Sequence, residues 1–482
     1  MEKGKLVKGK ALTRKFGLFS ATCMVIGTII GSGIFIKSEE IAHAVGSNLW
    51  FGVFAWVLGG GIMLAFAYTF SRLAQKHEKV NGLIDYSEAV VGPRYGYALG
   101  WFMSTIYGPA LMAFLAHATA RFTVALIGFE ELCEVTQTYV PVSQLFSPQT
   151  FMFAGLYLVL ANVINMLVPK ISIKLNISTT LLRIIPVVAM GVIGTIVGLI
   201  NGGTVQHLQE SIPGAAEHAF LAATFATAFA FAGWESTMAL NSEVKNSKRI
   251  LPIALLLGTS IVVALYALYY IGMFGAVDTE TLSAAWAVRQ IGGTMTGFQN
   301  IFGAWAGPVL FGFIIISCFG ALNGFTMAHH RGMYALGRRG RGVVPTQMAN
   351  LDGASKMPVN SGLVSLLLSA VWLFIFGGHQ AGWWVLPVSG LAVVYFNVAL
   401  FPILIGMMVK QKDLNLFDRF VMPAVSIAGG VLMMVAAWLV VADWLLVFGI
   451  IIVASLTFGM FFYNGIDRKK TDEGEEELPQ PV

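Results

Sequence analysis

Apolar runs of about 20 residues recur along nearly the whole chain, and each is long enough to cross a bilayer as a helix. In hydrocarbon every backbone N–H and C=O must be satisfied within the protein, and runs of this kind meet that demand as helices. The 482 residues are 56% hydrophobic and 11% charged, against about a quarter charged in a soluble domain. Mean hydropathy is +0.74. A disordered chain, a coiled coil and an ordinary soluble enzyme are excluded. The expected class is an all-α polytopic membrane protein in which one membrane domain takes the whole chain.

Twelve spans are read, at 16–36, 50–71, 97–127, 151–167, 178–200, 219–241, 251–274, 297–330, 360–376, 384–409, 419–441 and 444–463. The eighth is too long for one crossing and is expected to run past the membrane at its basic end. With the N-terminus placed inside, 26 of the 30 Lys and Arg residues fall in inside segments. Only Lys37 and Arg289 fall outside, and Arg121 and Arg183 lie within spans. That asymmetry predicts a multi-pass plasma-membrane protein with both termini cytoplasmic. The first apolar run carries no convincing cleavage site for a signal peptide. Cys23 and Cys318 lie in apolar runs and Cys133 in a loop, so no disulfide framework is expected. The tail TDEGEEELPQPV is read as a disordered solvating segment.

Two spans are interrupted. The first contains GTIIGSGIF (27–35) and the sixth contains FAFAGWEST (229–237). Gly33 and Gly233 are 200 residues, five helices, apart. The charge count runs the first span outward and the sixth inward. The expected organisation is a basic N-terminus (1–15), two inverted repeats (16–200 and 219–409), two further helices (419–463) and the acidic tail (464–482). Matching interruptions in inverted halves point to a transporter site at the bilayer midplane. Free N–H groups around Ile29, Ile30, Gly31 and Ser32 are candidates for holding a carboxylate. Carbonyls around Phe229–Ala232 are candidates for an ammonium group. A side chain at Gly31 or Gly33 would fill the space where a ligand meets the backbone. Close helix packing is the competing role for these glycines.

Charges within spans need an account, because each is costly there. Arg121, near the outer end of the third span, can snorkel. Arg183, early in the fifth, either snorkels or stabilises the site. Glu235 directly follows the Gly233–Trp234 break and is read as the one acid deep in a span, with Asp443 at a boundary. Such an acid suits proton coupling or a conformational gate, or it bridges helices as an acceptor. Phe229, Phe231, Trp234 and Phe325 crowd the candidate site, with Phe231 and Phe325 preferred as substrate-lining. His329 and His330 are adjacent and do not share a helix face, which argues against a metal pair. An ion channel or a non-transporting membrane sensor is the distant alternative; a channel should show charge rings or a repeated filter motif, and neither is found. No cofactor, nucleotide or nucleic-acid motif is visible.

These signatures resemble the amino acid–polyamine–organocation permease superfamily. GTIIGSGIF is similar to its G-S/A-G-I/V-F first-helix break. FAFAGWEST with NSEVKNSKRILPIAL (241–255) is similar to its sixth helix and following loop, with Ser247 in place of a proline. RGMYALGRRGRGVVP (331–345) is similar to its loop after helix 8, with Arg339 in place of an Asp. The resemblance implies a LeuT-like fold of 12 helices, a 5+5 inverted repeat plus two, and alternating access. It implies that the backbone at Gly31, Ser32 and Gly33 holds the carboxylate of an amino acid or related amine. It implies a gate at Glu235, and a fixed cation, Arg183, where relatives keep a Lys or a sodium ion. The expected function is secondary amino acid transport by exchange or proton coupling. A sodium symporter and a polyamine or cationic amino acid antiporter are the alternatives.

Overall fold

The computed structural model describes residues 16–46, 48–76, 82–127, 147–204, 218–277, 292–380, 383 and 387–464. The basic stretch 1–15, Cys133, Arg289 and the acidic tail from 465 onward lie outside the described residues. The first span is two helices, α1 (Leu18–Ile29) and α2 (Gly33–Ala44), bent by 43° at the break. Then come α3 (Leu49–Lys76), the short α4 (Gly82–Val90) and α5 (Pro93–Ile127). They are followed by α6 (Pro148–Leu167) and α7 (Pro169–Ile200). The expected sixth span is α8 (Ala219–Ala230), a turn, and a 3₁₀ segment, Trp234–Glu243. The rest is α9 (Ser247–Ala276), α10 (Gly292–Phe302), α11 (Ala306–Gly337), α12 (Val359–Gln380), α13 (Val388–Lys410) and α14 (Phe417–Met460). Among the described residues nine helices are long and apolar enough to cross a membrane, or ten with the bent pair counted as one.

Local chemistry sets several boundaries. α6 opens on Ser147, whose Oγ accepts the Thr150 N–H at 3.1 Å, with Pro148 in the first turn. The long eighth run divides at Gly303 (φ +90°), so α10 stands apart and α11 continues through Arg331 to Gly337 at its basic end. The last two expected spans form one element with a non-helical Val441 (φ −141°, ψ 43°). Ser426 on its first part meets Thr69 of α3, and the Gly459 carbonyl on its second part accepts from Tyr97 of α5. Thr69 and Tyr97 flank α4, so both ends of α14 reach the same end of the bundle. At that end Arg339 bonds Asp85 and Glu88 of α4, and Arg341 Nη1 lies 2.7 Å from Glu88. A parallel bridge, Phe16 to Val244, ties the start of α1 to the segment after the 3₁₀ helix, with Lys245 N donating to Phe16 O at 2.9 Å.

The closest helix packing is a glycine seam between α7 and α9. An ideal Cβ on Gly272 would stand 2.8 Å from the Met190 carbonyl carbon and 3.0 Å from Gly191 Cα. One on Gly275 would stand 3.0 Å from Gly198 Cα. Small residues let backbones touch in a membrane, where dispersion takes over from the hydrophobic effect. Gly272→Leu forces the helices apart. It is expected to cost about 1–3 kcal/mol and lower the melting temperature. Gly155→Leu, with nothing within 4 Å of its Cβ direction, should melt like the unmodified chain. Equal melting of both variants, followed by intrinsic fluorescence, would remove the seam from the packing account.

Candidate functional site

Unwinding at Ile30–Ser32 frees backbone groups of the first span, and side chains from three helices take up its carbonyls. Ile30 is extended (φ −73°, ψ 98°), and its N–H donates to Ile26 O at 2.8 Å. The Arg183 guanidinium of α7 donates through Nη1 to Gly27 O and, at 2.9 Å, to Ile30 O. Its Nε donates to Thr179 O at 3.1 Å and its Nη2 to Thr179 Oγ1 at 2.7 Å. Tyr266 of α9 donates to Ile29 O at 3.1 Å. Ser317 of α11 donates to Gly31 O at 3.2 Å and to Ile30 O at 3.4 Å. Arg183 is fully buried, so the expectation that it could snorkel does not hold. Charge-assisted bonds to carbonyls compensate its desolvation.

The N–H groups that open α2 have no intrahelical partner by geometry. They come from Ser32, Gly33 and the residues just after them, at the positive end of the α2 dipole. Ser32 is buried, and its carbonyl accepts from Ile36 N at 3.0 Å. Gly31 faces Ala321 of α11 and Leu115 of α5, 3.1 and 3.5 Å from an ideal Cβ. Gly33 does not open onto free space: its Cβ direction ends 2.7 Å from Ala230 Cα. The relation is reciprocal, because Gly233 (φ +111°) has its Cβ direction 2.6 Å from Thr28 O. Each interrupted helix therefore places a glycine against the backbone of the other, and at Gly233 the positive φ adds a second reason for the missing side chain.

In the sixth span, Phe231 N donates to Thr227 O at 3.2 Å and Ala232 N to Phe229 O at 3.1 Å, which closes the last turn. Ala232 is buried beside them. Phe229 lies against Phe114 of α5, with centroids 4.4 Å apart. Phe325 of α11 reaches within 3.2 Å of the Gly233 Cβ direction and stacks on His329 at 5.9 Å. Phe231 turns away into a cluster with Trp56 of α3 and Tyr266 of α9, at 5.6 and 5.3 Å. Of the two preferred aromatics, Phe325 faces the break. Trp234 packs on Phe66 and Phe70 of α3.

Glu235 is buried and accepts two hydrogen bonds, from Tyr107 OH at 2.6 Å and from Gly233 N at 3.0 Å. A π-turn at Met103–Tyr107 within α5 aims Tyr107, which stacks on Phe396 of α13 at 4.3 Å. Sequence reasoning missed Tyr107, which looks like one more aromatic in an apolar run. It also missed Glu39, which the 16–36 span leaves out. α2 carries Glu39 to full burial, where its Oε1 accepts from Thr294 N of α10 at 2.5 Å. Arg121 is buried and lies within electrostatic reach of Glu39 and His117. It does not snorkel; an acid and an imidazole share its surroundings.

Residues 16–469 match the amino acid permease family. The serine/threonine exchanger SteT of Bacillus subtilis is 30% identical over 332 residues, 68% of this chain and 69% of its own length. The human cystine/glutamate transporter is 25% identical over 365 residues, 75% of this chain and 68% of its own. The crystal structure of MhsT in complex with L-phenylalanine matches with a TM-score of 0.59. It covers 88% of this chain and 100% of that one, at 14% identity, a likeness of fold alone. The interrupted helices, their LeuT-like arrangement and the match over nearly the whole chain agree: the chain belongs to the amino acid permease family, whose members are membrane transporters and not enzymes.

Proposed function

We propose that the chain is a secondary active transporter of neutral amino acids, working by alternating access as an exchanger or proton-coupled permease. The N–H groups at Gly31, Ser32 and Gly33 hold the substrate carboxylate at the positive end of α2. The carbonyls at the end of α8, around Phe229–Ala232, hold the ammonium group. Leu115, Ala321, Phe229 and Phe325 line this region and offer no charge to a substrate side chain. Both oxygens of Glu235 already accept hydrogen bonds. Neutral substrates also fit the relative named as a serine/threonine exchanger. We further infer twelve crossings, with 16–200 and 219–409 as inverted repeats and both termini on the cytoplasmic side of the plasma membrane, from the Lys and Arg asymmetry.

One observation carries the coupling assignment: the Arg183 guanidinium bonds the carbonyls of Gly27 and Ile30. A fixed positive charge there does the work of a bound sodium ion. Exchange in proteoliposomes should continue with sodium fully replaced by choline. Uptake lost in choline would overturn this assignment in favour of a sodium symporter. In a competition panel of amino acids and amines against one labelled substrate, neutral amino acids should compete. Competition confined to arginine, lysine or polyamines would favour a cationic antiporter.

Glu235 is the coupling and gating residue in this reading. Glu235→Gln keeps the shape, with its amide oxygen accepting from Gly233 N and its NH₂ donating to Tyr107 OH, but it carries no titrating proton. It should retain substrate binding and flatten the dependence of exchange rate on pH between about pH 5 and 8. Wild-type and variant curves of one shape would reduce Glu235 to a helix bridge.

A further inference from the structure

A small cavity of about 20 Å³ adjoins Glu235, bounded by α4, α5, the 3₁₀ segment and α11. Its walls include Glu235, Ser236, Ser104 and His329, all buried. Three of their polar atoms, Ser104 Oγ, Ser236 Oγ and His329 Nε2, have no hydrogen-bond partner in the protein. A buried polar atom left without a partner is costly, so three on residues lining one cavity call for an occupant. The space suits a water-sized molecule, and a buried water takes two to four polar partners.

The donor and acceptor pattern narrows the occupant. The His329 ring hydrogen-bonds the Met103 carbonyl. A carbonyl only accepts, so the bonded ring nitrogen carries a hydrogen, and in neutral imidazole the other nitrogen is then a bare acceptor. That other nitrogen is the unpartnered Nε2. The Glu235 carboxyl accepts as a carboxylate and donates through its O–H when protonated, and the two serine hydroxyls serve either way. The walls need a molecule that both donates and accepts, which describes water.

We propose that this cavity is a water-binding site through which Glu235 and His329 exchange a proton during transport. The proposal deepens the reading of Glu235 as the coupling residue and rests on it. In the transfer, the carboxyl O–H of Glu235 gives its proton to the bridging water, and that water gives another to His329 Nε2. The carboxyl becomes a carboxylate, the imidazole an imidazolium, the water is regenerated, and the charge of the pair is conserved. Tyr107 of α5 stays as donor to the carboxylate. Asp85 on α4 is held by Arg339, with Tyr86 next to it. On α11, His330 turns to Asn162 at 2.7 Å and Arg331 to the Met327 carbonyl. α13 presents Phe396 to Tyr107. His329 is thus the acceptor placed at the cavity with a vacant nitrogen.

The test is infrared difference spectroscopy on the full-length protein in lipid nanodiscs. The Glu235 carboxyl C=O band is identified as the one lost in Glu235→Gln and followed against pH. His329→Gln removes the acceptor and Ser104→Val fills the cavity. Each is expected to move the midpoint of the band by about one pH unit or more, a tenfold change in proton affinity. Midpoints in both variants equal to wild type overturn the proposal, as does the absence of any titrating Glu235 band. If His329→Gln does not fold, Ser104→Val decides alone. Amino acid exchange at pH 7 is measured with the same variants reconstituted in proteoliposomes. A moved band without exchange removes the transport reading and leaves the site standing; exchange with unmoved bands removes the site.

Discussion

The carbonyls freed where the first membrane helix unwinds are the constraint on which the centre of this molecule depends. Lipid offers them no partner, and each would cost several kcal/mol if left alone. Arg183, Tyr266 and Ser317 supply the donors from α7, α9 and α11. The guanidinium suits the task because its donors are fixed in a plane. Nη1 spans the carbonyls of Gly27 and Ile30, while Nε and Nη2 anchor on Thr179 of its own helix. An ammonium group on a Lys would bring one compact charge to the same place and leave the anchor unmade.

Two breaks that pack against one another impose a second condition, that nothing stand between their backbones. Gly33 against Ala230 and Gly233 against Thr28 meet it symmetrically. The sequence reading assigned these glycines to ligand access, with packing as the competitor. The structure gives packing to Gly33 and Gly233 directly, and Gly31 faces the side chains of Ala321 and Leu115, 3.1 and 3.5 Å from an ideal Cβ. The roles are linked: without close packing of the two breaks, the N–H groups of α2 and the carbonyls ending α8 would not face one region.

Both breaks were legible in the sequence because glycines clustered beside polar residues interrupt apolar runs. The spatial roles of the charges were not. Arg183 looked close to an interface because Lys170, Lys174 and Asn176 delay the apolar signal, which set the fifth span at 178. The helix begins at Pro169, so Arg183 lies about 21 Å along it at 1.5 Å per residue. Glu39 was lost for the mirrored reason: the polar stretch KSEE ended the first span at 36, while α2 runs on to Ala44 with Glu39 inward. Hydropathy locates lipid contact, and a helix facing protein on all sides can carry polar residues without leaving the membrane. Tyr107 and its π-turn carry no pattern that distinguishes them from packing.

The departure at Arg339 has a physical account in the same terms. Where the resembling motif has an Asp, this chain has an Arg that bonds both Asp85 and Glu88 of α4. Asp85 is almost completely buried, and a buried carboxylate that loses its partner costs about 3–5 kcal/mol. An Asp at 339 would add a third acid to this pair instead of neutralising it. Arg341 shares Glu88 and lies over the ring of Tyr463, 4.9 Å from its centroid. The loop after α11 is thereby clamped to α4 on one side and to the end of α14 on the other. Arg339 and the α4 acids thus form one unit: the acids that answer the Arg in this chain sit within bonding distance of it.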